Sequence, residues 1–197
     1  MITELIYISI YSYILGSIPF GLILTKIFLK KDIRKIGSGN IGATNVLRTG
    51  KKFLGTATLI LDGLKAYASV LITLNFYPDY IYLSSLMCFL GHIFPIWLKF
   101  NGGKGIAVYL GVLFAFSIYL GLIFIITWVI ILYISKYSSL SSLISSVIIL
   151  LYSITLNDFN MSLLFFIIFI IVTYTHRENI SRIKSRTENK LIFNKIF

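Results

Sequence analysis

Residues 35–52 read KIGSGNIGATNVLRTGKK. They pack Gly37, Gly39, Gly42 and Gly50 together with Ser38, Asn40, Thr44, Asn45, Thr49 and Arg48. A second run, Gly102-Gly103-Lys104-Gly105, repeats the mixture of glycine and a cation. Hydroxyls cluster at Ser138 and Ser139, and His176, Arg177 and Asn179 stand near the end of the chain. Glycines let backbone N–H groups approach a ligand, and successive N–H groups form a concavity for an anion. Arg grips phosphate with a planar fork and Lys as a point charge, while Ser, Thr and Asn supply further hydrogen bonds. The ligand that suits this mixture is phosphate, in more than one copy. Gly37, Gly39, Asn40, Thr44, Asn45, Gly102 and Gly103 are the candidate substrate-binding residues of the two glycine-rich runs.

Familiar nucleotide motifs do not account for these runs. Gly37 to Gly42 matches G-x-G-x-x-G, and Asp62 follows about 20 residues later, where a dinucleotide fold places a ribose-binding acid. That fingerprint must follow a buried strand, and the residues before it here are KKDIRKI. The P-loop pattern also fails, because Gly105 follows Lys104 where Ser or Thr is required and Leu98 stands where the first glycine should be. Two histidines and one cysteine offer no plausible metal set, and no cofactor is implied.

The elements that must position these groups are membrane helices. Of the 197 residues 57% are hydrophobic and only 13% charged, against roughly 25% charged in a soluble domain. The chain reads as an all-α polytopic membrane protein with seven apolar segments, at 4–29, 53–76, 80–98, 105–118, 119–135, 139–156 and 160–175. The net charge of +11 would suit nucleic acid or a membrane surface, but its distribution points to topology. Lys30, Lys31, Arg34, Lys35, Arg48, Lys51 and Lys52 fall in one connection, Lys99 and Lys104 in another, and Lys136 in a third. Arg177, Arg182, Lys184, Arg186, Lys190 and Lys195 lie in the tail. The opposite side holds Glu4, Asp79 and Asp158 without Lys or Arg. The positive-inside rule then places the N-terminus outside and the C-terminus in the cytoplasm. No nucleic-acid role needs invoking. Between Lys104 and Lys136 only 31 residues intervene, so two helices there are shorter than the roughly 20 residues a full crossing takes. A five-span arrangement with a re-entrant pair is the alternative.

Asp62 and Lys65 lie inside the second apolar segment, where ionisable residues are costly. Three residues apart, they share a helix face and can pair. His92, in an apolar setting before Pro95, reads as capping or packing, and Cys88 as packing.

The sequence closely resembles the bacterial integral-membrane glycerol-3-phosphate acyltransferases that use acyl phosphate as donor. The resemblance is carried by GSIPFG at 16–21, GSGNIGATNVLRTG at 37–50, LDGLKA at 61–66, GHIFPIWLKFNGGKGIA at 91–107 and HRENISRI at 176–183. It implies one acyltransferase domain over residues 1–197. Its activity would join the acyl group of acyl phosphate to the 1-hydroxyl of glycerol 3-phosphate, giving lysophosphatidic acid and phosphate in bacterial phospholipid synthesis. It implies the inner membrane, a site on its cytoplasmic face, membrane lipid as partner and a monomer as the working unit. By matching motif, Ser38, Arg48, Lys104 and His176 are the catalytic residues, and Ser139, Asn179 and Glu188 join the substrate-binding set. Arg48 and Lys104 would hold the phosphate of glycerol 3-phosphate. Ser38, Asn40, His176 and Asn179 would serve the acyl-phosphate end. Two positions depart from the family: Lys136 where Arg is usual, and Arg186 where the Gly-Thr-Glu motif has glycine.

The residues agree with that chemistry. Five residues after His92 stands Trp97 and five after His176 stands Ser181, so the His-x-x-x-x-Asp pair of the other large glycerolipid acyltransferase class is absent; so is a G-x-S-x-G elbow. Acyl phosphate is already an activated anhydride, and its departing phosphate can take the hydroxyl proton. Substrate-assisted attack is therefore preferred, with His176 as general base the rival and an acyl-Ser38 intermediate third. A transporter of phosphate-bearing solutes is the alternative class, although no inverted repeat is visible.

Overall fold

The computed structural model describes residues 1–191; Lys195 of the basic tail lies outside the described residues. All regular structure among the described residues is helical. The elements are α1 (Ile2–Ser17), α2 (Phe20–Leu29), α3 (Ala43–Leu47), α4 (Lys52–Phe76), α5 (Ile81–Ile93), α6 (Ile106–Phe116), α7 (Ile118–Ser135), α8 (Ser138–Thr155), α9 (Phe159–Thr175) and α10 (Arg177–Lys184). Short 3₁₀ turns occupy Ile33–Lys35, Pro78–Tyr80 and Ile96–Leu98.

Five stretches are long and apolar enough to cross a membrane: Ile2–Leu29, Lys52–Phe76, Pro78–Leu98, Ile118–Ser135 and Ser138–Thr155. A sixth is formed if α9 and α10, bent by 57° to each other, count as one. The crowded region expected between Lys104 and Lys136 resolves unequally. Ser117 is extended and caps the start of α7 with its hydroxyl, leaving α7 with 18 residues and α6 with 11, a rise of about 16 Å.

The first apolar segment is not one rod. Pro19 lacks an N–H and pushes Ile18 out of helical geometry (φ −66°, ψ 115°), which separates α1 from α2. The carbonyls freed at this break are met by side chains. Trp97 Nε1 donates to the Ser17 carbonyl at 2.8 Å, and Lys65 Nζ donates to that of Ile18 at 2.6 Å. Inside a bilayer no water is present to do this.

The chain divides into two compact units, residues 1–116 and residues from 117 onward. In the first, α1 packs on α4 and α5, and α4 on α6. These contacts are backbone-close: a side chain at Gly16 would strike the Cys88 carbonyl, at Gly91 that of Tyr13, and at Gly111 that of Gly63. Without a hydrophobic drive between helices, small residues that permit such approach supply the packing. Buried hydroxyls add bonds across the same seams, Ser12 to Ser84 at 2.9 Å and Ser69 to Ser84 at 3.2 Å. Cys88 is fully buried among them, as its apolar neighbours led us to expect.

In the second unit α7, α8 and α9 pack in sequence. Helix α8 buries Ser139, Ser141, Ser142, Ser145, Ser146 and Ser153. Several return their hydroxyl to the preceding turn, as Ser146 does to the Ser142 carbonyl at 2.8 Å, and Trp128 Nε1 of α7 donates to Ser142 Oγ at 3.0 Å.

Candidate active site

Two loops of the first unit carry the phosphate-binding candidates. Asp32 opens the first, accepting from the Arg34 amide at 3.0 Å. The Arg34 side chain then grips the same carboxylate, Nη2 to Oδ2 at 2.6 Å, and holds Asp32 down at about 2. Arg34 is thereby occupied. Ile33, Ile41 and Val46 anchor the loop in a cluster with Leu22 of α2 and Leu54 of α4, against which Leu98 from the second loop also packs.

Asn45 shapes the crest. Only 2% exposed, its carboxamide oxygen accepts from the Ser38 amide at 3.0 Å. Its NH₂ reaches the carbonyls of Ile33, Ile36 and Asn40 at 3.2, 2.9 and 2.8 Å. Gly37 takes φ +58°, and a side chain there would strike Asn45 Oδ1 and come within 3.3 Å of Arg48 Cδ. The crest therefore puts exposed Ser38 next to Gly37, past which the Arg48 side chain runs. Among the described residues no carboxylate pairs with Arg48, in contrast to Arg34. Asn40 accepts from the Gly42 amide at 2.8 Å, and Thr44 lies half-buried in α3.

The second loop folds back onto the end of α5. Gly102 donates its amide to the Ile93 carbonyl at 3.0 Å and Gly103 to that of His92 at 3.1 Å. Gly103 has no room for a side chain because the His92 ring lies there. Lys104 follows, half-buried, with Gly105 between it and α6. Beneath it lies an ionic cluster. Lys65 Nζ donates to Asp62 Oδ1 at 2.7 Å and contacts His92 Nδ1 at 3.0 Å; His92 Nδ1 stands 3.7 Å from Asp62 Oδ1. The pairing of Asp62 with Lys65 follows from their spacing; that His92 joins them does not.

In the second unit, His176 is 3% exposed at the end of α9, with Nδ1 2.8 Å from the Val172 carbonyl. A carbonyl only accepts, so Nδ1 bears the proton, and in the neutral ring Nε2 is the acceptor. Glu188 gathers three partners: Ser139 Oγ at 2.9 Å, Asn179 Nδ2 at 2.6 Å and Arg182 Nε at 2.7 Å. Burial raises its carboxyl, but the bonds from Arg182, Asn179 and Ser139 outweigh that and hold it below the ordinary glutamate range. Glu188 thus acts on two of the three other candidates of this unit, Ser139 and Asn179. Arg182, which the sequence offered only as a charge of the basic tail, completes the set. Arg186, where the resemblance would have glycine, takes φ +60°, a left-handed conformation costing an ordinary residue roughly 1–2 kcal/mol. Lys136 also sits at positive φ (62°), and its carbonyl accepts from the Leu191 amide at 2.8 Å.

One part of the sequence reading changes. The glycine runs were expected to open their amides to an anion. The N–H groups of Ser38, Gly39 and Gly42 are instead bonded within the first loop, and those of Gly102 and Gly103 to the end of α5. The glycines permit close folding, and among the described residues Arg48 is a charge of the first loop that no carboxylate pairs.

The sequence profile described as glycerol-3-phosphate acyltransferase matches residues 6–186. A glycerol-3-phosphate acyltransferase of Pelagibacter ubique is 59% identical over 187 residues, covering 95% of this chain and 97% of its own. One of Mesorhizobium japonicum is 49% identical over 187 residues, 95% and 96% of the two chains. Among solved structures, the glycerol 3-phosphate form of PlsY (YgiH), an integral membrane glycerol 3-phosphate acyltransferase, superposes with TM-score 0.93 at 32% identity over 98% of each chain. Its lysophosphatidic acid form gives 0.90 with the same identity and coverage.

Proposed function

Since the chain belongs to the glycerol-3-phosphate acyltransferase family, we propose that it acylates the 1-hydroxyl of glycerol 3-phosphate to give lysophosphatidic acid in phospholipid synthesis. The donor is acyl phosphate, and inorganic phosphate leaves. The observation that carries this reading is the near-complete structural match to an enzyme solved in both its glycerol 3-phosphate and lysophosphatidic acid forms. Nothing favours a transporter.

The residues take the following parts. Arg48, without a carboxylate partner among the described residues, and Lys104 hold the phosphate of the acceptor; Arg48 supplies two directional bonds and Lys104 a point charge. Ser38 and Asn40 serve the acyl-phosphate end, as do His176 and Asn179. Asn45 and Glu188 keep other site residues in place, Asn45 by fixing the Ser38 amide and Glu188 by holding the side chains of Ser139 and Asn179. The donor's departing phosphate accepts the hydroxyl proton, so the protein contributes positioning and charge stabilisation. His176, with Nε2 as acceptor, is the competing base. Purified protein in detergent, given acyl phosphate and labelled glycerol 3-phosphate, should release lysophosphatidic acid and phosphate in equal amounts. Phosphate release without lysolipid would overturn the reading.

The whole chain works as one enzyme domain and as a monomer in the bacterial inner membrane. It makes seven crossings, with α6 as a short one, the N-terminus outside and the site on the cytoplasmic face, an order supported by the one-sided Lys and Arg. The acyl chain can then stay in hydrocarbon while its charged head reaches the interface. A cysteine at Ser117 should react with an impermeant reagent from outside; reaction from the cytoplasm would mean a re-entrant pair and five crossings.

A further inference from the structure

Below the second loop lies a buried ionic cluster to which the proposed reaction assigns no part. We infer that Asp62, Lys65 and His92 are positioning residues that set where Lys104 stands, an inference resting on the reading of Lys104 as a phosphate ligand.

The argument begins with the Lys65 ammonium, which has three N–H donors and no acceptor. Three acceptors surround it: Asp62 Oδ1 at 2.7 Å, the Ile18 carbonyl at 2.6 Å and His92 Nδ1 at 3.0 Å. The set is complete, and the side chain is only 2% exposed. A flexible stem is thereby fixed at its tip to α4, to the break between α1 and α2, and to the last turn of α5.

Because the ammonium can only donate, His92 Nδ1 must accept, and the neutral ring carries its proton on Nε2. Nε2 is the ring atom lying nearest the place a Gly103 side chain would occupy. The backbone carbonyl of the same histidine accepts the Gly103 amide at 3.1 Å. Ring and carbonyl of one residue therefore bracket Gly103, and the next residue is Lys104. On either side the loop rests on the same helix, Gly102 bonded to the Ile93 carbonyl and Gly105 against the Phe89 ring. The rotation of the last turn of α5, which Lys65 holds through His92, thus determines where the Lys104 backbone starts.

Packing alone does not explain these residue types. Well-packed apolar side chains of similar volume stabilise as well as a buried ion pair or better. What they lack is direction: an apolar ring in place of His92 would fill the volume without a fixed orientation toward Gly103.

The test separates binding from folding. His92→Leu removes the Nδ1 acceptor, whereas His92→Asn returns a carboxamide oxygen near its place. With glycerol 3-phosphate varied at saturating acyl phosphate, His92→Leu should raise the acceptor KM about tenfold or more while leaving the donor KM close to the parent's, and His92→Asn should recover most of the loss. KM does not depend on how much of a preparation is folded. An unchanged acceptor KM, with maximal rate falling only as the folded fraction falls, would overturn the inference. A second readout needs no turnover. Labelling of Lys104 by an amine-reactive reagent, followed by peptide mass spectrometry, should change severalfold in His92→Leu relative to Lys99, and an unchanged ratio would also overturn it. Should His92→Leu fail to fold, Asp62→Asn is measured by the same two criteria. A parent enzyme that makes no lysolipid refutes the functional reading alone; an active parent whose variants keep their KM and labelling refutes this inference alone.

Discussion

Lys65 and Arg48 are both cations of the first unit, and they are used in opposite ways. Lys65 is buried in a span, and all three of its donors are taken by protein acceptors. Arg48 is exposed on a loop beside Ser38, with no carboxylate partner among the described residues. Residue type does not separate these roles; the count of satisfied donors does. A cation whose bonds are filled from within holds the fold, and one left open on a polar crest is available to a ligand. Arg34 shows that exposure alone is not the criterion, since Asp32 occupies it at the surface.

The sharpest way to break this contrast is to remove each cation and read stability and activity separately. Lys65→Ala leaves Asp62 as a buried charge without its partner and strips the Ile18 carbonyl of its donor. Such a loss costs about 3–5 kcal/mol, and melting in detergent should fall on the order of 10 °C. Replacing Asp62 and Lys65 together by leucine should recover part of that. Arg48→Ala should do the reverse, with melting unchanged and turnover down at least ~100-fold, a magnitude that charged contacts to phosphate support. Lys104→Ala belongs with Arg48→Ala. If Lys65→Ala melts like the parent, or Arg48→Ala melts far below it, the division between holding and binding is wrong.

The same contrast explains what the sequence could and could not reveal. Long apolar runs locate the helices, because a bilayer demands about 20 apolar residues in one stretch. Asp62 and Lys65 pair because i and i+3 share a helix face. His92 joins them from another helix, 27 residues from Lys65, and no local spacing encodes that meeting. Asn40 and Asn45 look alike in the sequence, yet Asn45 is spent on four backbone groups while Asn40 turns a single amide. Their difference depends on which of them the hydrophobic cluster under the loop buries. The glycine runs misled in the same manner: composition shows that the backbone can fold tightly, not whether its amides end up facing a ligand or a carbonyl.

The smallest effect in this series concerns Glu188, which by its filled bonds belongs with Lys65 rather than Arg48. Its carboxyl is held below the ordinary value near 4.5, burial pushing it up and the bonds from Arg182, Asn179 and Ser139 more than compensating. A carboxyl depressed in the folded state contributes stability that is fully present above its unfolded value and is lost as pH falls through the folded one. Glu188→Gln keeps an oxygen for Ser139 or Asn179 but discards the charge facing Arg182. With Arg182 partly open to solvent, the difference should stay within about 1 kcal/mol, a few degrees of melting temperature at most. The gap between parent and variant should therefore be constant from neutral pH down to the ordinary glutamate range and should close on further acidification. Every other carboxyl titrates alike in the two proteins, so the gap isolates this one. A gap that persists or widens in acid would mean that Glu188 holds Asn179 and Ser139 through shape alone, and its charge would drop out of the account.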